Sequence, residues 1–220
     1  MESDREKLLP EVAGALTSNP GASTGEIAAA AGVSRATLHR IFGGRDEVVE
    51  ATYGWLLEQC DRIFDAAGID ADPVLEAFDR LIEDSYLLAQ SLWLLIATPQ
   101  LEKVPELQTR LESQDARLER FFVRGQDEGS FRGDLPPRWL TYSLGSQVMS
   151  AWYLVGDGFA GARDVPRLVR AAVLEGVLSD AAGSAPDPTG AVADERPSSA
   201  GDSGVRTAEH SSGSPRTRES

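Results

Sequence analysis

Between residues 23 and 46 the chain spells out two short helices and the tight turn joining them, and few folds can use such a unit. Ser23 and Glu26 stand three apart ahead of an alanine run. At that spacing a serine hydroxyl and a glutamate carboxylate satisfy each other's orphan backbone amides. The helix they open is predicted over 24–31. Gly32-Val33-Ser34 then breaks it: Gly32 can take a positive φ, Val33 can plug into a core beneath the turn, and Ser34 is a good N-cap for a second helix over 35–42. The inward side of the pair is Ile27, Ala28, Ala31, Val33, Leu38 and either Ile41 or Phe42. Arg35, Ala36, Thr37, His39 and Arg40 remain outward on the second helix. This is the pattern of a helix-turn-helix, whose second helix is of a size that the DNA major groove admits.

Overall charge argues the other way. A formal net charge of −14 and a pI near 4.6 would repel a polyanion. The charge is unevenly placed, however. From Ile27 to Arg45 there is no Asp or Glu, while Arg35, Arg40 and Arg45 are present. An acidic body with one small basic surface is repelled from DNA in most orientations, which favours a single docking mode. The side chains suit that surface. Arginine pairs with guanine edges or phosphates, threonine offers a hydroxyl and a methyl, and histidine can donate to phosphate.

Glycine and proline punctuate the rest into helical pieces without convincing strand alternation, so an all-α fold is expected. Leu8, Leu9, Val12, Ala13 and Leu16 predict a first helix ending before Asn19-Pro20-Gly21, with Pro10 tolerable only in its first turn or as a kink. After Gly43-Gly44, Asp46 is positioned to cap a long amphipathic helix to about Ala67, whose buried stripe is Val49, Tyr53, Leu56, Leu57, Cys60, Ile63 and Phe64. A helix over 73–97 carries apolar residues on two faces, as a central helix does. Pro99 and Pro105 bracket a short helical turn, and a charged helix follows over 106–128 with Leu107, Leu111, Leu118, Phe121 and Phe122 inward. Residues 129–134 read as a loop. Two further helices are predicted over 137–155 and 165–180.

The run Gly25 to Phe42, followed by Gly44-Arg45-Asp46, resembles the N-terminal domain of TetR-type (tetracycline-repressor-type) regulators. The family pattern is an I-A-x-x-A-G-V-S-x-x-T-L-Y-x-x-F run and then a basic residue opening the fourth helix. The resemblance covers about forty residues, and its motif is highly specific. It implies a three-helix DNA-binding domain over 1–50, a ligand-binding and dimerisation domain over 51–181, and a DNA-binding regulator, by family default a repressor, with palindromic double-stranded operator DNA as partner. It places Thr24 and Arg45 against phosphate and Arg35, Thr37, His39 and Arg40 on the recognition helix, which Ser34 caps. Two departures stand out: His39 replaces the usual Tyr, altering a phenol–phosphate contact, and Thr17 stands where a Phe often packs.

In the resembled family the helical body binds a small molecule and pairs two subunits. Here the body holds most of the large aromatics, including Trp139 and Tyr153, and Tyr86, Trp93, Phe122, Tyr142, Met149 and Trp152 are the candidate pocket residues. Aromatics at helical spacing can equally be core, but Tyr and Trp indoors need polar partners and often line cavities. A mainly apolar lining implies an apolar or aromatic effector. Leu144, Val148 and Ala151 on one helix and Val165, Val169, Ala172, Val173, Gly176 and Val177 on the last are the candidate homodimer interface, the alternative being that both stripes complete one chain's core.

Rival functions find little support. An enzyme needs a nucleophile with a base, paired carboxylates or metal ligands. One cysteine and two histidines, His39 in the helix-turn-helix and His210 near the end, leave few such arrangements, and no catalytic residue, metal or cofactor is expected. Cys60 on a buried stripe reads as inert core. A DNA-binding regulator that answers to no ligand is the alternative within the same class. The most apolar run, 86–98, is too short to span a membrane, so a cytoplasmic protein without membrane contact is expected. Residues 182–220 hold Ser, Gly, Pro, Asp and Arg with no aromatic, and are expected to be a disordered tail.

Overall fold

The structure is a computed structural model. It describes residues 2–175, the side chains of residues 2, 3, 86, 100 and 175 excepted, and every regular element among them is helical. α1 (Glu2–Ser18) runs through Pro10, which lies on its exposed side, and buries Leu9, Val12, Ala13 and Leu16. α2 (Thr24–Ala30) and α3 (Arg35–Phe42) follow, then α4 (Arg45–Ala67). The N-cap of α4 is Gly44, without a side-chain hydrogen bond, so the expected Asp46 cap is not formed. Asp46 sits in the first turn instead, where a carboxylate is favoured by the helix dipole.

The long helix expected over 73–97 is two. α5 (Val74–Glu83) and α6 (Ser85–Ala97) meet at Asp84, whose φ of −99° and ψ of 21° leave the helical region. One straight helix would have to bury both apolar faces at once. The break at the exposed Glu83-Asp84 pair re-aims them, so that α5 packs on α4 and α9 while α6 packs on α4 and α8. A 3₁₀ turn (Pro99–Lys103) leads to α7 (Pro105–Asp127), which has proline at its start where a missing amide costs nothing. α8 (Pro137–Gly156), a 3₁₀ turn (Ala162–Asp164), α9 (Val165–Arg170) and a π-helical turn (Ala171–Glu175) complete the described chain.

Two hydrophobic clusters meet along α4. Val48, Val49, Tyr53, Leu56 and Leu57 join α1–α3 in the first, together with Leu94, Leu101 and Leu107 from farther along the chain. Ile63, Phe64 and Ala67 join α5, α7, α8 and α9 in the second. A polar seam fastens α7 to α4 and the turn after it. Arg110 bonds Asp61 (2.7 Å), the Gln114 amide donates to the Leu57 carbonyl and to Asp61 (both 2.7 Å), Arg117 reaches Asp65 (2.6 Å), and Arg124 donates to the Ile69 carbonyl (2.9 Å). The expected loop after α7 contributes to the core, because Phe131 tucks under Gly125 with its ring in contact distance of Phe121 and Phe122.

Five of the expected dimer-interface residues are buried within the protomer itself. Leu144, Val148, Ala151, Val165 and Val169 are all 6% exposed or less within one chain, packed in the body cluster. Ala172 and Val173 are half-buried beside them, and Gly176 and Val177 lie outside the described residues, as does the tail. The stripes have helical spacing because α8 and α9 complete the protomer interior. The outward face of α8 instead carries Trp139, Tyr142, Ser146, Ser150, Tyr153 and Leu154. No helix among the described residues is long and apolar enough to cross a membrane.

Candidate nucleic-acid interface and internal cavity

The helix-turn-helix is built by reciprocal caps. The Ser23 amide donates to the Glu26 carboxylate (2.7 Å) and the Glu26 amide to the Ser23 hydroxyl (3.3 Å), which holds the Glu26 carboxyl below its ordinary value. Gly32 takes φ +67°, the left-handed region that favours glycine, and the Val33 amide returns to the Ala28 carbonyl. Ser34 caps α3: its hydroxyl accepts from the Thr37 amide (3.1 Å) and shares a hydrogen bond with the Thr37 hydroxyl (2.9 Å). Leu38 and Phe42 are buried, and Ile41 only partly, so Phe42 is the plug.

This leaves Arg35, Ala36, His39 and Arg40 exposed on one helix, with no carboxylate on α3 itself. Thr24 and Thr37 are half-buried at the starts of their helices, and the Thr37 hydroxyl is already engaged by the cap. Arg45 differs from expectation. Its Nε donates to the Ala22 carbonyl (3.0 Å) and a terminal nitrogen to the Pro20 carbonyl, so two of its three nitrogens tie the turn before α2 to the start of α4. Thr17, the departure noted on α1, is buried with its hydroxyl donating to the Ala13 carbonyl (2.7 Å).

In the body, five helices line a cleft of about 580 Å³ that is open to the surface beside Ile96, Tyr142 and Tyr153. Cys60 and Phe64 of α4 and Leu81 of α5 line it. So do Leu88, Ser91, Leu92, Leu95 and Ile96 of α6, Leu111, Gln114, Asp115 and Leu118 of α7, and residues of α8 from Thr141 to Tyr153. Of the expected pocket residues, Tyr142 and Met149 line it. Phe122 does not: it is locked between Phe121 and Phe131 in the core (ring centroids 5.5 and 5.4 Å). Trp93 stands behind the wall, edge-on to Tyr153 (5.8 Å), with its indole nitrogen donating to the Thr17 carbonyl (3.0 Å). Trp152 is half-buried against the body core, and the Tyr86 side chain lies outside those described.

Asp115 and Gln114 were invisible as lining residues, because they sit on a helix whose charge pattern reads as solvated. Burial raises the Asp115 carboxyl above its ordinary value; Arg138 pulls it down, while Glu119 and Glu112 push it up. Burial likewise pushes the Cys60 thiol up to about 12, so it stays protonated and unreactive, as an inert core cysteine does.

Comparison with known proteins agrees with this arrangement. The profile described as "Bacterial regulatory proteins, tetR family" matches residues 20–52, the helix-turn-helix and the start of α4. The chain is 34% identical over 135 residues to the HTH-type transcriptional regulator NfxB of Pseudomonas aeruginosa, covering 60% of this chain and 72% of that protein. It is 27% identical over 167 residues to the HTH-type transcriptional repressor LfrR of Mycolicibacterium smegmatis, covering 76% of this chain and 83% of that one. In fold it is similar to the crystal structure of LfrR in complex with proflavine, with a TM-score of 0.67 at 21% identity over 81% of this chain and 99% of that chain. It is also similar to the ketosteroid transcriptional regulator KstR2 of Mycobacterium tuberculosis, with a TM-score of 0.61 at 19% identity over 82% of this chain and 97% of that chain. From the helix-turn-helix, the all-helical body and these matches, the chain belongs to the TetR family and is a DNA-binding transcription regulator, not an enzyme.

Proposed function

We propose that this regulator is a cytoplasmic, sequence-specific repressor that holds a palindromic operator as a homodimer and releases it when a small apolar or aromatic molecule fills the cavity. Residues 1–50 are the DNA-binding domain, 51–181 the ligand-binding and dimerisation domain, and 182–220 an appended tail. Arg35, Thr37, His39 and Arg40 face the major groove from α3, Ser34 caps that helix, and Thr24 and Arg45 stand at the flanking phosphates. Two-fold pairing presents two recognition helices one DNA turn apart, about 34 Å. The exposed aromatic face of α8 is the surface that a second copy covers.

The observation carrying this reading is the reach of α4. Its first turn, through Arg45, is tied to the turn before α2, and its later residues Cys60 and Phe64 form a wall of the cavity. An occupant that displaces that wall bears on the same helix that anchors the DNA-binding domain. The relative LfrR, named a repressor and solved with proflavine, supports release by an aromatic molecule. A regulator that needs no ligand would be better served by a fully packed body than by a void of about 580 Å³.

Fluorescence anisotropy on a labelled operator, titrated with proflavine as probe, tests the reading. Two chains should bind per operator, counted by light scattering, and the anisotropy should fall as the cavity saturates. A complex that stays bound with the cavity full would contradict release.

A further inference from the structure

We propose that Val177 and Leu178, just past the described residues, close a second groove of the body, so that this stretch completes the interior of its own chain and is not part of its contact with another. The groove has a volume of about 250 Å³. Its apolar walls are Leu75 at the start of α5, Phe122 of α7, Phe131 of the following loop, Leu140 of α8, and Val173 and Leu174 of the π-helical turn. Leu75 is left 42% exposed, and Val173 and Leu174 are only half-buried. The rim does not call for an ionic guest. Arg132 donates to Asp134 (2.7 Å) and Arg170 to Asp79 (2.8 Å), so both guanidiniums at the groove already have a carboxylate. Aliphatic surface is what such a groove takes up with gain.

The chain supplies that surface where it leaves the groove. The described residues end at Glu175, Gly176-Val177-Leu178 come next, and the branched aliphatic residue after those is Val192. Arg170, Val173 and Leu174 all line the groove, at helical spacings of three and four. One more turn at that spacing brings Val177 and Leu178 to the same face. Because they follow Leu174 directly, they need no long loop closed and no second molecule immobilised, so their ordering costs less than recruiting a separate partner. Side chains that fill the groove cannot also face another chain. Val177, whose spacing alone made it an interface candidate, then belongs to the interior with Val169.

Substitutions in the full chain test this. Leu178→Asp should lower the melting temperature by about 5–10 °C, whereas Ser179→Asp, on the opposite face at that spacing, should leave it within about 2 °C of wild type. Hydrogen exchange in Leu178→Asp should quicken over 74–78 and 130–140, which hold groove walls, while 24–42 keeps its wild-type protection. Should Leu178→Asp not fold, urea melts of Leu75→Ala, Leu178→Ala and the double variant decide. Each single change should lower the midpoint, and the double variant should lose clearly less than the sum, as neighbours do. Strict additivity there overturns the proposal. So do a wild-type melting temperature and wild-type exchange in Leu178→Asp. A folded Leu178→Asp chain at half the wild-type mass by light scattering overturns it as well, because the segment then meets a second copy.

Discussion

Arg45 opens α4 with a guanidinium that grips the carbonyls of Pro20 and Ala22, so charge is only part of what it contributes. Arg45→Ala should lower stability by about 1–2 kcal/mol, since charged hydrogen bonds to backbone are lost from a partly buried site. Arg45→Lys separates the two roles, because lysine keeps the charge but lacks the planar fork. Calorimetry should find Arg45→Lys closer to Arg45→Ala in melting temperature; wild-type stability in Arg45→Lys would show that the grip contributes nothing. Gly125 makes a comparable case in the body. A Cβ there would lie 2.1 Å from the Phe131 ring, so Gly125→Ala should cost about 1–3 kcal/mol in a urea melt. At this scale the exposed row Arg35, His39 and Arg40 was legible, because caps and a glycine turn set the helix phase. Asp115 was not. A carboxylate on a charged helix looks solvated until other helices close over it.

Elements were legible wherever glycine, proline and capping residues punctuated them, which gave α2, α3, α7 and α8 nearly to the residue. The α5–α6 break was not, since no glycine or proline marks Asp84 and only the need to bury two faces explains it. Nor could helical spacing say whether the α8 and α9 stripes meet their own chain or another. The structure settles that for Val169, which is 1% exposed inside the body. Val169→Asp should therefore unfold the chain, since a buried unpaired charge costs on the order of 4 kcal/mol. Trp139 and Leu154 lie outward on α8, 61% and 37% exposed. With a dimer across that face, Trp139→Glu and Leu154→Glu should halve the mass by light scattering while far-UV circular dichroism stays helical. Unchanged mass in both would move the interface elsewhere.

At the scale of the whole molecule, the DNA-binding domain and the body are joined by more than α4. The Trp93 indole reaches the end of α1, and Leu94, Leu101 and Leu107 pack into the first core. That integration left little trace in the sequence, because its contacts join residues dozens of positions apart. The charge asymmetry was plain from the start: an acidic chain of net charge −14 with an acid-free stretch over 27–45. Selection of bound duplexes from a random pool, followed by salt titration of the enriched sequence, tests most directly whether that stretch reads DNA. One two-half-site sequence should emerge, bound at least about a thousand-fold more tightly than a scrambled duplex. Arg40→Ala should flatten the logarithmic salt slope by about one unit per chain if it meets phosphate, and Arg35→Ala should change the selected bases if it reads an edge. An unenriched pool, with equal affinity for every duplex, would contradict the account.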